Sequence, residues 1–115
     1  MSGGTSVFLD SREIGDDGAQ QVAAALQNPE CTVQTQNIDY NKIGDAGAKS
    51  LADAVRVNTT LQTLSLGGNN IGKDGVKAMA EAVRVNATLQ TLSLSSNNIG
   101  KDGACLLYTS PSPRD

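Results

Sequence analysis

The chain contains no histidine and no tryptophan, and only one phenylalanine and two tyrosines in 115 residues. Without histidine there can be no Ser-His or Cys-His catalysis and no histidine-bound metal. With aromatics so scarce, any core must be assembled from Leu, Ile, Val and Ala. The two cysteines, Cys31 and Cys105, make no spaced motif, so no disulfide framework is indicated. A net charge of −3 and the lack of a basic block argue against nucleic acid as a partner. No apolar run approaches the roughly 18 residues of a membrane span, and the opening MSGGTSVF has neither the basic nor the apolar part of a signal peptide. The expectation is one small, soluble, cytoplasmic domain that binds neither nucleic acid nor membrane.

What the chain does have is one stretch written twice. Residues 54–75 read AVRVNTTLQTLSLGGNNIGKDG, and residues 82–103 read AVRVNATLQTLSLSSNNIGKDG. Of these 22 aligned positions three differ, and the offset is 28 residues. A fixed period of this size means a repeat architecture. Each copy carries L-x-x-L-x-L-x-x-N-x-I, as Leu61, Leu64, Leu66, Asn69 and Ile71, and again as Leu89, Leu92, Leu94, Asn97 and Ile99. This pattern resembles the leucine-rich repeat of the ribonuclease-inhibitor-like class. The I-G-x-x-G segment that follows is similar to that of Ran GTPase-activating protein and of the repeat arrays of nucleotide-binding immune receptors.

Two weaker copies precede these. In one, Val33, Ile38, Asn41 and Ile43 are in register, but Gln36 stands where Leu64 and Leu92 stand. A polar amide facing a core is unfavourable unless it finds a partner. In the first copy Val7 and Leu9 take the strand positions and Arg12 takes the asparagine position, which suggests a fraying or capping repeat. Three helices with one apolar stripe are expected: Ala19, Val22, Ala23 and Leu26; Ala48, Leu51, Ala52 and Val55; Val76, Met79, Ala80 and Val83. Asn28-Pro29 should end the first.

One strand–turn–helix unit cannot bury its apolar face alone, whereas stacked units bury it between neighbours. The expected fold is therefore α/β: a leucine-rich-repeat solenoid, or horseshoe, with a parallel inner sheet and outer helices. Parallel strands need a crossover connection, which the helices supply. The resemblance implies an asparagine ladder through Asn41, Asn69 and Asn97. Gly44, Gly72 and Gly100 are expected to adopt turn angles closed to other residues. Asp45, Asp74 and Asp102 are expected to cap the helices that they begin.

The domain is expected to span residues 1–104. Residues 105–115, CLLYTSPSPRD, resemble the in-frame translation of a sequencing-library adaptor and are expected to form a non-native or disordered tail. The last helix would then be missing, leaving an apolar end open to self-association.

Several motifs have plainer readings. GGNNIGKD, residues 67–74, nearly matches a phosphate-binding loop, but Asp74 replaces the required hydroxyl and the sister copy carries Ser95 for Gly67. Asn58-Thr59-Thr60 and Asn86-Ala87-Thr88 fit the glycosylation sequon but read better as helix ends. Lys49/Asp53 and Lys77/Glu81 are charge pairs on a solvated face. No catalytic, cofactor-binding or metal-binding group emerges.

The function expected is therefore a protein–protein interaction module without catalysis. The resemblance leaves two alternatives: a GTPase-activating fragment, or the sensing array of an intracellular immune receptor. Candidate contact residues lie on the inner face: Phe8 and Asp10; Thr35, Asn37 and Asp39; Thr63 and Ser65; Thr91, Ser93 and Ser95. Phe8, Asp10, Asn37 and Asp39 are the distinctive ones, since hot spots favour aromatic or charged anchors. A charge introduced at Ser65 is expected to be tolerated, and one at Leu64 is not.

Overall fold

A computed structural model describes residues 5–97 and 108–109, with backbone alone at Thr5 and at 108–109. Strand and helix alternate along the chain: β1 (Thr5–Phe8), α1 (Gly15–Gln27), β2 (Val33–Asn37), α2 (Asp45–Val57), β3 (Thr63–Ser65), α3 (Lys73–Val85), β4 (Thr91–Ser93) and β5 (Tyr108–Thr109). The sheet order is the chain order, and β1 to β4 are parallel. This is the solenoid of the expected α/β class.

The register places like on like. Val7 pairs with Gln36, Gln36 with Leu64, and Leu64 with Leu92. Each of these points between sheet and helices, while its neighbours in the strand point away. Ile38, Ile43, Leu51, Leu61, Leu64, Leu66 and Ile71 have no exposed surface. Full burial of each such side chain contributes roughly 1.5–3 kcal/mol relative to exposure. Helices α1, α2 and α3 stack by the stripes read from the sequence, with Ala19, Leu51, Val55, Val76 and Met79 fully covered.

The glycines and aspartates of the helix starts behave differently from expectation. Gly44 and Gly72 have φ of −106° and −102°, within reach of other residues. The constraint falls three residues later. A Cβ on Gly47 would lie 2.7 Å from both Asp16 Oδ1 and Ile43 Cγ2, and one on Gly75 would lie 2.6 Å from Ile71 Cγ2 and 2.7 Å from Asp45 Oδ1. Asp45 does not cap its own helix either. Its Oδ1 accepts from the backbone N–H of Gly72 at 2.7 Å and of Gly75 at 3.0 Å, at the start of α3. Asp16 does the same for α2 through Gly44 and Gly47. The aspartate reaches across because the helices lie side by side with their first turns level. Gly100 and Asp102 lie outside the described residues.

Among the described residues the ion pair that closes is Lys42 to Glu13, at 3.6 Å between adjacent turns, rather than a pair along a helix. Both partners are exposed, so it adds little. No helix among the described residues is long and apolar enough to cross a membrane. Most of the expected tail lies outside the described residues, as do Ile99 and Cys105. Tyr108 and Thr109 pair antiparallel with Leu92 and Thr91.

Candidate functional site

The face of the sheet turned away from the helices carries three rows of side chains. Ser6, Thr35, Thr63 and Thr91 form one row, and Phe8, Asn37, Ser65 and Ser93 form the next. Asp10, Asp39, Gly67 and Ser95 follow where the strands end. The parallel register brings these candidate residues together on one surface. Its two halves differ. Repeats three and four offer small hydroxyl groups, whereas the first two offer Phe8, which is 57 % exposed, and the carboxylates of Asp10 and Asp39.

Asp39 is not a free charge. Its Oδ1 accepts from the Ser65 hydroxyl at 2.6 Å and from the Gly67 backbone N–H at 2.7 Å. Its own backbone N–H donates to Asn37 Oδ1 at 2.9 Å. Asn37, Asp39 and Ser65 therefore form a braced polar cluster running across two strands. A carboxylate at Ser65 would face Asp39, so that position is not the neutral one expected from the sequence.

Tyr40 is a surface residue that sequence reasoning missed. It is 60 % exposed and has φ of +58°. Ser11, Gly68 and Ser96 hold the same left-handed corner in their repeats, with φ of +59°, +67° and +59°. The Tyr40 ring lies across Gly68, where a Cβ would come within 2.3 Å of it. The available signal was that Tyr40 is the one aromatic in a column otherwise filled by serine and glycine. Together, Phe8 and Tyr40 put two exposed aromatics on neighbouring repeats.

Side-chain ladders hold this surface in place on both edges. Asn41 Oδ1 accepts from the N–H of Arg12 and Ile14, and Asn69 Oδ1 accepts from Asn41 and Ile43. Asn97 Oδ1 accepts from Ile71 at 2.9 Å. Each amide also donates to turn carbonyls, such as Leu9, Ile38 and Leu66. Each asparagine thus satisfies the turn of the repeat before it, which would otherwise bury unpaired backbone groups.

A second asparagine ladder runs along the opposite edge. Asn58 and Asn86, the sequon residues, are 7 % and 3 % exposed. Asn58 donates to the Leu26 carbonyl, and Asn86 donates to the carbonyls of Val55 and Asn58. Their Oδ1 atoms accept from Thr60, Leu61, Thr88 and Leu89. Beside them, the Thr60 hydroxyl donates to the Val33 carbonyl and the Thr88 hydroxyl to that of Leu61. These amides are occupied in building the corner, so the sequons have a structural job.

The phosphate-loop lookalike fails on geometry as well. The N–H groups of Gly72 and Gly75, which would have to face an anion, already donate to the Asp45 carboxylate. Among the described residues no three His, Cys, Asp or Glu side chains stand close enough to hold a metal.

A family model described as Leucine Rich repeat matches residues 31–52, 57–80 and 85–106, more than half of the chain. No curated protein matches the sequence.

Proposed function

The chain belongs to the leucine-rich-repeat family, and from that premise we propose that it binds a protein partner through the sheet face of its first two repeats. Repeats of this family generally mediate protein–protein interaction. The observation that supports this face is the exposure of Phe8 and Tyr40 beside Asp10 and the braced Asp39, against a uniform lawn of serine and threonine farther along. Aromatic anchors on rigid elements dominate binding energy, whereas small hydroxyl residues contribute little. The ladders lend the rigidity, because backbone and side chains are fixed before a partner arrives, which lowers the ordering cost of association. The 28-residue period and the helix in each repeat support assignment to the ribonuclease-inhibitor-like class.

The test is affinity capture with quantitative proteomics, comparing the native chain with a Phe8→Ser/Tyr40→Ser double variant and a Lys49→Ala/Lys77→Ala control on the helix side. A specific partner should be lost with the first variant and kept with the second. Retention by the first and loss by the second would move the binding site to the helices.

A further inference from the structure

The first apolar layer of the solenoid is less filled than those behind it. Val33 stands where Leu61 and Leu89 stand later, and Val7 and Gln36 occupy the column of Leu64 and Leu92. The shortfall leaves a cavity of about 300 Å³, open on one side, lined by Val7, Leu9, Ile14, Val22, Leu26 and Gln36. That volume lies at the small end of ligand pockets and is about twice that of a cavity that accepts benzene. No Asp, Glu, Lys or Arg lines it.

One polar side chain is buried at this cavity. Gln36 is 3 % exposed. Its Nε2 donates to the Val7 carbonyl at 3.4 Å, while its Oε1 accepts no hydrogen bond among the described residues. A buried acceptor without a donor is unfavourable, and nearly all such groups in folded proteins are satisfied. Besides Gln36, the exposed Gln21 and the half-buried Cys31 bring the other polar side-chain atoms to a lining that is otherwise aliphatic, whereas a buried water needs roughly three polar partners.

We infer that this cavity binds a small, neutral, ring-sized apolar molecule carrying one O–H or N–H donor. The ring lies against Ile14, Val22 and Leu26, where contact is non-directional and depends on apolar area. The donor meets Gln36 Oε1, which fixes the orientation and discriminates against the same ring without a donor. The absence of charged lining residues excludes carboxylates and ammonium ions as ligands. Because Val7 points into the core while Phe8 points away from it, this site is independent of the partner-binding face.

The probes are 2-naphthol and naphthalene, which share a ring system and differ by one hydroxyl. Each is titrated into the full chain while the methyl resonances of Val7, Ile14 and Val22 are followed by NMR. Saturable shifts should localise to those methyls, with 2-naphthol binding roughly tenfold tighter, the usual worth of one net hydrogen bond. Gln36→Leu should erase that preference while leaving the remaining spectrum in place. Val22→Phe, which fills the cavity, should abolish binding of both probes. Absence of saturable shifts, equal affinity for the two probes, or a hydroxyl preference surviving in Gln36→Leu would each overturn the assignment.

Discussion

The Asp16 carboxylate is hydrogen-bonded to the backbone of Gly47, 2.9 Å away in a helix to which Asp16 does not belong. Asp45 and Gly75 repeat the relationship one unit on, at 3.0 Å. The N-terminal amides of a helix have no partner within it. Here the preceding repeat supplies one, so helix capping and repeat stacking are a single interaction.

Asp45→Ala should therefore destabilise the array by about 1 kcal/mol, the usual worth of a helix cap. Thermal unfolding followed by circular dichroism measures it. Asp53→Ala, an exposed change on α2, is the control and should be close to neutral. Equal losses for the two variants would mean that the cross-repeat cap contributes nothing.

Gly75→Ala should be destabilising although alanine favours a helix interior by about 1 kcal/mol over glycine. Its Cβ would fall 2.6 Å from Ile71 Cγ2 and 2.7 Å from the capping Asp45 Oδ1. Gly44→Ala meets nothing closer than 3.6 Å and should be the milder change. A higher melting temperature for Gly75→Ala than for Gly44→Ala would contradict this steric account.

Leu64→Asp should unfold the chain, because it places an unpaired carboxylate where the side chain has no exposed surface. Ser93→Asp, half-buried on the opposite face of the sheet, should be tolerated. Ser65→Asp should fall between them, since its carboxylate would meet Asp39, whose Oδ1 now accepts the Ser65 hydroxyl at 2.6 Å. Denaturant midpoints should rise from Ser65→Asp to Ser93→Asp, with Leu64→Asp showing no folded baseline. A Leu64→Asp protein as stable as Ser93→Asp would reverse the two faces.

Asn86→Ala should cost at least about 2 kcal/mol, more than a surface asparagine would, because it strips partners from several buried backbone groups at once. The carbonyl of Val55 loses a donor, and the amides of Thr88 and Leu89 lose an acceptor. Chemical denaturation gives the number. A loss within about 0.5 kcal/mol, typical of surface changes, would show that these bonds are dispensable.

Much of the fold was legible because a solenoid is close to one-dimensional. Each unit contacts only its neighbours, so a 28-residue period specifies strand order, register and helix stacking together. The inward column of Val7, Gln36, Leu64 and Leu92 and the outward column of Phe8, Asn37, Ser65 and Ser93 follow from alternation once the period is known. The helix stripes of Ala48, Leu51, Ala52 and Val55 were equally plain, since a 3.6-residue repeat of apolar positions has one way to face the sheet.

What the sequence by itself determined, then, was periodic: which face of each strand and helix turns inward, which residues share a row, and that Gln36 breaks a column of leucines. The full burial of Ala54 and Ala82 was not read from it. What only the tertiary structure decided was who bonds to whom across the period. Asp45 caps the next helix rather than its own, Asp39 is held by Ser65, and Tyr40 lies over Gly68. Each of these joins residues 26 to 30 positions apart, and the spacing alone does not say which of two adjacent units a short side chain will reach. Packing decides it, by setting the distance and tilt between neighbouring repeats. The same packing leaves the first layer underfilled around Gln36, a volume that no pattern of residue types could have measured.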